Sequence, residues 1–105
     1  MAKVTLHHYN WEAGRRADED AHFNICGFGK EDAVKKAWNN KLYAPIVEAI
    51  AGDEKDHYDI CEQVFYQENR DAPKPRRSMS VGDVVQINDK FYLCAMMGFK
   101  EIKFT

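Results

Sequence analysis

The chain has no apolar run approaching the roughly 18 residues of a membrane span, and its first residues, Met1-Ala2-Lys3, lead straight into an alternating segment rather than the apolar core of a signal peptide. Its three cysteines are an odd number, which argues against a disulfide framework and for reduced thiols. Charge of one sign is also missing: 15 Lys and Arg against 17 Asp and Glu give a net charge of −2. With no global basic field, nucleic-acid binding would need a local patch. These absences lead to the expectation of a cytoplasmic protein, in the host cell if a phage encodes it, with no membrane partner.

What is present is ordinary globular composition, 45% hydrophobic and 30% charged over 105 residues. That is enough for one domain, residues 1–105, with one modest core. Val4, Leu6 and His8 alternate through residues 3–9 and predict a strand. Residues 11–20 are polar, with Gly14 in the middle, and read as a loop or a poor short helix. Phe23 and Ile25 alternate and suggest a short strand over 21–26. Val34, Ala37 and Trp38 share one face of a helix over 31–40, with Glu31 and Asp32 in its first turn.

Residues 42–51 are ambiguous. Pro45 opens a short helix or lies in an edge strand, and the strand is preferred. Ile60, Cys61, Val64 and Phe65 stripe a second helix over 56–68, with Asp53, Glu54 and Asp56 crowding its start. Asp71-Ala-Pro73-Lys-Pro75 is a linker, because each proline restricts the residue before it to extended backbone. Strands follow at 83–88 and 91–96 around the turn Asn88-Asp89-Lys90, and a last one spans 99–104. The order predicts an α+β fold, a curved and mainly antiparallel sheet with two helices packed on one face. The expected core comprises Val34, Trp38, Ile60, Val64, Phe65, Val85, Ile87, Leu93 and Ile102.

No catalytic set emerges, and no cofactor or metal is expected. Two echoing segments, His22-Phe-Asn-Ile-Cys26 and His57-Tyr-Asp-Ile-Cys61, offer four zinc-type donors. Cys61, however, falls in an apolar stripe, and Cys26 is assigned to a strand. Cys94 lies between Leu93 and Ala95 and reads as buried and inert. Ser78 and Ser80 lack a nucleophile elbow. The strongest candidate is the loop from Lys74 to Asp83. Lys74, Arg76, Arg77, Ser78, Ser80 and the backbone at Gly82 are suited to a phosphate or carboxylate, with Arg76 or Arg77 facing outward. The same residues also suit a purely structural turn: Ser78 and Ser80 as caps, Gly82 for a positive φ, Asp83 for backbone donors.

Arg77-Ser78-Met79-Ser80-Val81-Gly82-Asp83-Val84-Val85, followed by a hairpin with Tyr92 and then Gly98-Phe99-Lys100, resembles the YodL-like small proteins of phages, plasmids and other mobile elements. The likeness covers about residues 43–102, is specific at 77–85 and 98–99, and leaves 11–30 unaligned. It implies a mobile-element setting, sometimes beside antirestriction genes, and carries no catalytic residues. The expected function is a non-enzymatic accessory protein that binds a host or phage macromolecule, a protein in the first instance, with a counter-defence role. A nucleic-acid or nucleotide binder using residues 74–83 and a metal-dependent enzyme are the alternatives.

Overall fold

Strand β1 (Ala2–Tyr9) lies second in a five-stranded antiparallel sheet, and the rest of the domain is arranged around it. The computed structural model describes residues 2–52, 56–70 and 77–104. Along the chain, β1 is followed by helices α1 (Trp11–Ala17) and α2 (Glu19–Phe23), a π-helical turn (Asn24–Phe28) and α3 (Glu31–Asn39). Then come β2 (Tyr43–Ala51), α4 (His57–Arg70), β3 (Val84–Ile87), β4 (Lys90–Ala95) and β5 (Gly98–Ile102). The sheet order is β2-β1-β3-β4-β5, so β2 and β5 are the edges. The α+β class is as expected, and no described helix is long and apolar enough to cross a membrane.

The core is double. Val4, Leu6, Val85, Ile87, Tyr92 and Cys94 cluster with Ile60 and Cys61 of α4. Tyr9, Val84, Leu93 and Ile102 cluster with Ile25 of the π-helical turn and with Val34 and Ala37 of α3. Successive strand residues point to opposite faces, so Val84 and Val85, or Leu93 and Cys94, serve different clusters. The expectation of two helices on one face is therefore corrected: α3 covers one face and α4 the other. The consecutive buried residues Val84-Val85 in β3 and Tyr92-Leu93-Cys94 in β4 are what a sheet covered on both sides requires. Of the expected core, Trp38, Val64 and Phe65 are only partly buried, each packed on the margin of a cluster.

Residues 11–28 also depart from expectation in part. Residues 11–20 take the short-helix alternative, as α1 and the start of α2, whereas residues 21–26 are helical and not the expected strand. Asn10 caps α1 by accepting from Ala13 N at 3.0 Å, and Asp18 caps α2 by accepting from Ala21 N at 3.1 Å. Phe23 is exposed while Ile25 is buried, so their alternation never marked one strand face. Gly14 is a helix residue because Tyr9 lies against it; a Cβ there would sit 1.9 Å from the tyrosine oxygen.

The remaining elements follow their sequence signals. α3 ends with Lys41 in the left-handed region (φ +61°) and Leu42 N donating to Ala37 O at 3.0 Å, a Schellman-type stop. Asp56 starts α4 by accepting from Tyr58 N at 2.8 Å. Pro45 lies in edge strand β2, where a missing N–H is tolerated. Asn88, at φ +56°, turns β3 into β4. Asp53, Glu54 and the linker 71–75 lie outside the described residues.

Candidate functional site

The segment Arg77–Asp83 enters β3 between the end of α4 and the end of β1. At its centre is the Asp83 side chain, fully buried. A buried carboxylate has to be paired and hydrogen-bonded, and this one accepts from four groups. Arg77 donates to both oxygens, Nη2 to Oδ1 at 2.7 Å and Nη1 to Oδ2 at 2.8 Å. Tyr9 N donates to Oδ1 at 2.9 Å, and Ser80 N to Oδ2 at 2.9 Å. The imidazole of His8 lies 3.9 Å from Oδ2.

Arg77 is spent in the same place. Beyond Asp83 it donates to Tyr9 O at 2.6 Å and to Ser78 O at 3.0 Å. Its guanidinium stacks over the Trp11 ring at 4.2 Å, which covers its outer side. The side chain is 22% exposed. Of the two arginines expected to face outward, Arg77 does not: its charge is answered by Asp83 and its fork by five acceptor contacts within the chain. Lys74 and Arg76 lie outside the described residues.

Gly82 and Asp83 take the structural roles the sequence offered. Gly82 has φ +100°, and a Cβ there would meet Ile25 Cγ2 at 2.5 Å. Its N–H donates to Cys94 O at 2.9 Å, and its carbonyl accepts from the Tyr43 hydroxyl. Asn69, near the end of α4, clamps the Met79 backbone in both directions, at 2.9 and 3.2 Å. Ser80 is half-buried, and only Ser78 among the described candidates is exposed. Residues 77–83 are thus tied by hydrogen bonds to β1, α4 and β4.

The four zinc-type donors do not come together. His22 and Cys26 lie beside Tyr9 on the α3 face, whereas Cys61 is buried in the α4 face. His57 Nδ1 pairs with the Tyr92 hydroxyl at 2.7 Å. Among the described residues, no group of three or more His, Cys, Asp or Glu is placed to hold a metal ion. Cys26 and His22 border an open cleft of about 340 Å³ with Arg15, Glu19 and Phe23. Burial pushes the Cys26 thiol up and the His22 imidazole down, so both are held neutral rather than as a thiolate–imidazolium pair. The sulfur lies 3.9 Å from both ring nitrogens, not in line with either.

A second opening, of about 380 Å³, went unread in the sequence. Phe65 of α4, Met79 and Val81 of the loop, Met96 at the β4–β5 turn and Phe99 of β5 line it, with Glu62 as its charged member. Met96 is exposed and Met97 is 98% exposed. Two large apolar residues filling a tight turn were the signal, since turns favour Gly, Asn, Asp and Pro. Compared with family models, with curated proteins and with solved structures, the chain matches none.

Proposed function

We propose that this chain is a small non-enzymatic accessory protein that binds a protein partner through the opening between α4, the Met79–Val81 segment and the β4–β5 turn. The observation that carries the reading is the pair Met96 and Met97 standing in solvent beside an apolar opening. Methionine side chains adapt to irregular surfaces and recur where partners dock, and an exposed apolar patch of this kind usually has a use. Glu62 is the charge lining it, so the partner it suits presents an apolar side chain next to a Lys or Arg. The mobile-element setting, the host-cytoplasm location and the counter-defence role implied by the YodL-like resemblance belong to this proposal. So does a curved sheet, since the register shift between Leu6 and His7 is a bulge of the kind that bends strands.

The nucleic-acid alternative depended on the loop arginines. With Arg77 engaged by Asp83, it falls to Lys74 and Arg76 alone. The test is affinity capture from a bacterial lysate with the wild type and with a Met96→Glu, Met97→Glu variant. The expected result is a protein retained by the wild type at moderate salt and lost with the variant. Equal capture by both, or a nucleic acid eluted by salt in place of a protein, overturns the reading.

A further inference from the structure

From the edge strand β2 we infer that the protein pairs with a second copy of itself, β2 against β2, joining the two sheets into one. The inference does not rest on the partner opening described above. β2 is nine residues long, Tyr43-Ala-Pro-Ile-Val-Glu-Ala-Ile-Ala51, and forms one border of the sheet. Natural edges are usually shortened, charged or bent to prevent such pairing. The opposite border, β5, follows that rule: it has five residues and exposes Lys100 and Glu101 at its centre. β2 exposes Ala44, Ile46, Ala49 and Ile50, with Glu48 as its single charge, and Ile50 is 67% exposed.

The chemistry of the edge favours its own copy over a foreign strand. Pro45 and the bulge opposite Leu6 and His7 interrupt the N-terminal half of β2. The regular stretch is Val47–Ala51, which has no proline. An antiparallel pair with its two-fold axis at Ala49 sets Ala49 against Ala49, Glu48 against Ile50 and Val47 against Ala51. The smallest side chain meets itself at the axis. Each exposed isoleucine lies over the stem of a glutamate, and the only charge does not face itself. Glu48 already has a cation in its own protomer, Lys3 at 3.8 Å, so it calls for no basic partner. Openings of about 360 and 170 Å³ flank this stretch, the first lined by Lys3, Glu48 and Ile50, the second by Ala49, Ala51 and Val64. They leave room for the side chains of an added strand on both faces. Such an interface is isologous and closes as a dimer, whereas β2 pairing with the charged β5 edge would continue into filaments.

The test is sedimentation equilibrium from low to high micromolar concentration on the wild type, Ile50→Glu and Ile50→Lys. Position 50 is exposed but stands opposite Lys3 of β1, so circular dichroism and urea unfolding check that each variant keeps the wild-type fold. The wild type should be a reversible dimer. Ile50→Glu puts like charges opposite each other and should weaken it by about tenfold or more, while Ile50→Lys faces Glu48 and should weaken it far less. In a Cys26→Ser background, Ala49→Cys should form an intermolecular disulfide on mild oxidation, because residues across an antiparallel pair lie within bridging distance. A wild type that stays monomeric leaves the edge to a foreign strand and overturns the proposal. A dimer equally sensitive to Glu and Lys at position 50, or one that the Ala49→Cys change fails to cross-link, also overturns it.

Discussion

The guanidinium of Arg77 grips the carboxylate of Asp83 two-pronged, at 2.7 and 2.8 Å, with the carboxylate wholly out of solvent. The same carboxylate holds the backbone N–H groups of Tyr9 and Ser80. One side chain thus fastens the end of β1 to the start of β3 and fixes the turn from Ser80 to Asp83.

Breaking this pair should therefore cost stability rather than binding. Removing one partner of a buried ion pair strands the other and typically costs about 3–5 kcal/mol. Against a total of roughly 5–15 kcal/mol for a small domain, Arg77→Ala or Asp83→Ala should unfold a substantial part of the population. Arg77→Lys should also destabilise, since a lysine cannot supply the planar fork or the stack on Trp11. Urea unfolding curves of the three variants check this. Midpoints within about 0.5 kcal/mol of the wild type would show that the pair holds nothing.

Gly14→Ala is a case where helix propensity and packing disagree. In an exposed helix, alanine would be better than glycine by about 1 kcal/mol. Here the added Cβ would fall 1.9 Å from the Tyr9 oxygen and 2.4 Å from its ring carbon. Tyr9 has little freedom to retreat: it is buried, hydrogen-bonded to His22 Nδ1 at 3.0 Å and packed on Tyr43. Gly14→Ala should destabilise by about 1–3 kcal/mol, the range of overpacked cores. The same change in a Tyr9→Leu background should cost much less. A Gly14→Ala protein that melts higher than wild type would refute this account of the glycine.

The three thiols should separate by reactivity. Burial first, then neighbouring carboxylates or the other thiol, pushes Cys61 and Cys94 up to about 12. Only the thiolate reacts with a disulfide reagent, so at pH 8 both should be nearly inert in the folded protein. Cys26 is raised too, but it borders an open cleft and should react first. Titration with Ellman's reagent should show one accessible thiol in buffer and three in denaturant, and Cys26→Ser should abolish the fast phase. Equal rates for all three in buffer would contradict the burial of Cys61 and Cys94.

The elements legible in the sequence were those whose side chains repeat with the period of their own backbone. The alternation of Val4 and Leu6, the stripe from Ile60 to Phe65 and the Asn88 turn each needed only local reading. What escaped was set by distant partners. Gly14 looks like a breaker until Tyr9 is placed beside it. The caps at Asn10 and Asp18 went unread, and the alternation of Phe23 and Ile25 pointed to a strand that does not form. Val84-Val85 and Tyr92-Leu93-Cys94 are consecutive buried residues, the mark of a sheet covered on both faces, yet the two helices were assigned to one. Arg77 shows how far residue type alone carries: an arginine beside serines and a glycine suits an anion, and its anion proved to be Asp83, six positions on and turned inward.

Acid should weaken the fold through His7. Its ring Nε2–H donates to Gln86 Oε1 at 2.9 Å, and the ring packs edge-on against Trp38 at 4.9 Å and near Phe91. Burial pulls its pKa below the ordinary value near 6.5, more than the Gln86 contact raises it. The folded protein therefore binds this proton less readily than the unfolded chain. Stability from the neutral ring is fully present above pH of about 6.5 and is lost as pH falls from there through the lowered folded value, with a slope of at most about 1.4 kcal/mol per pH unit for one proton. Urea unfolding between pH 7.5 and 5, above the range where exposed carboxylates titrate, should show stability declining with acid in the wild type. His7→Gln should lower stability at pH 7.5 yet flatten the decline. An unchanged slope in that variant, or a wild type that gains stability as pH falls, would remove His7 as the source.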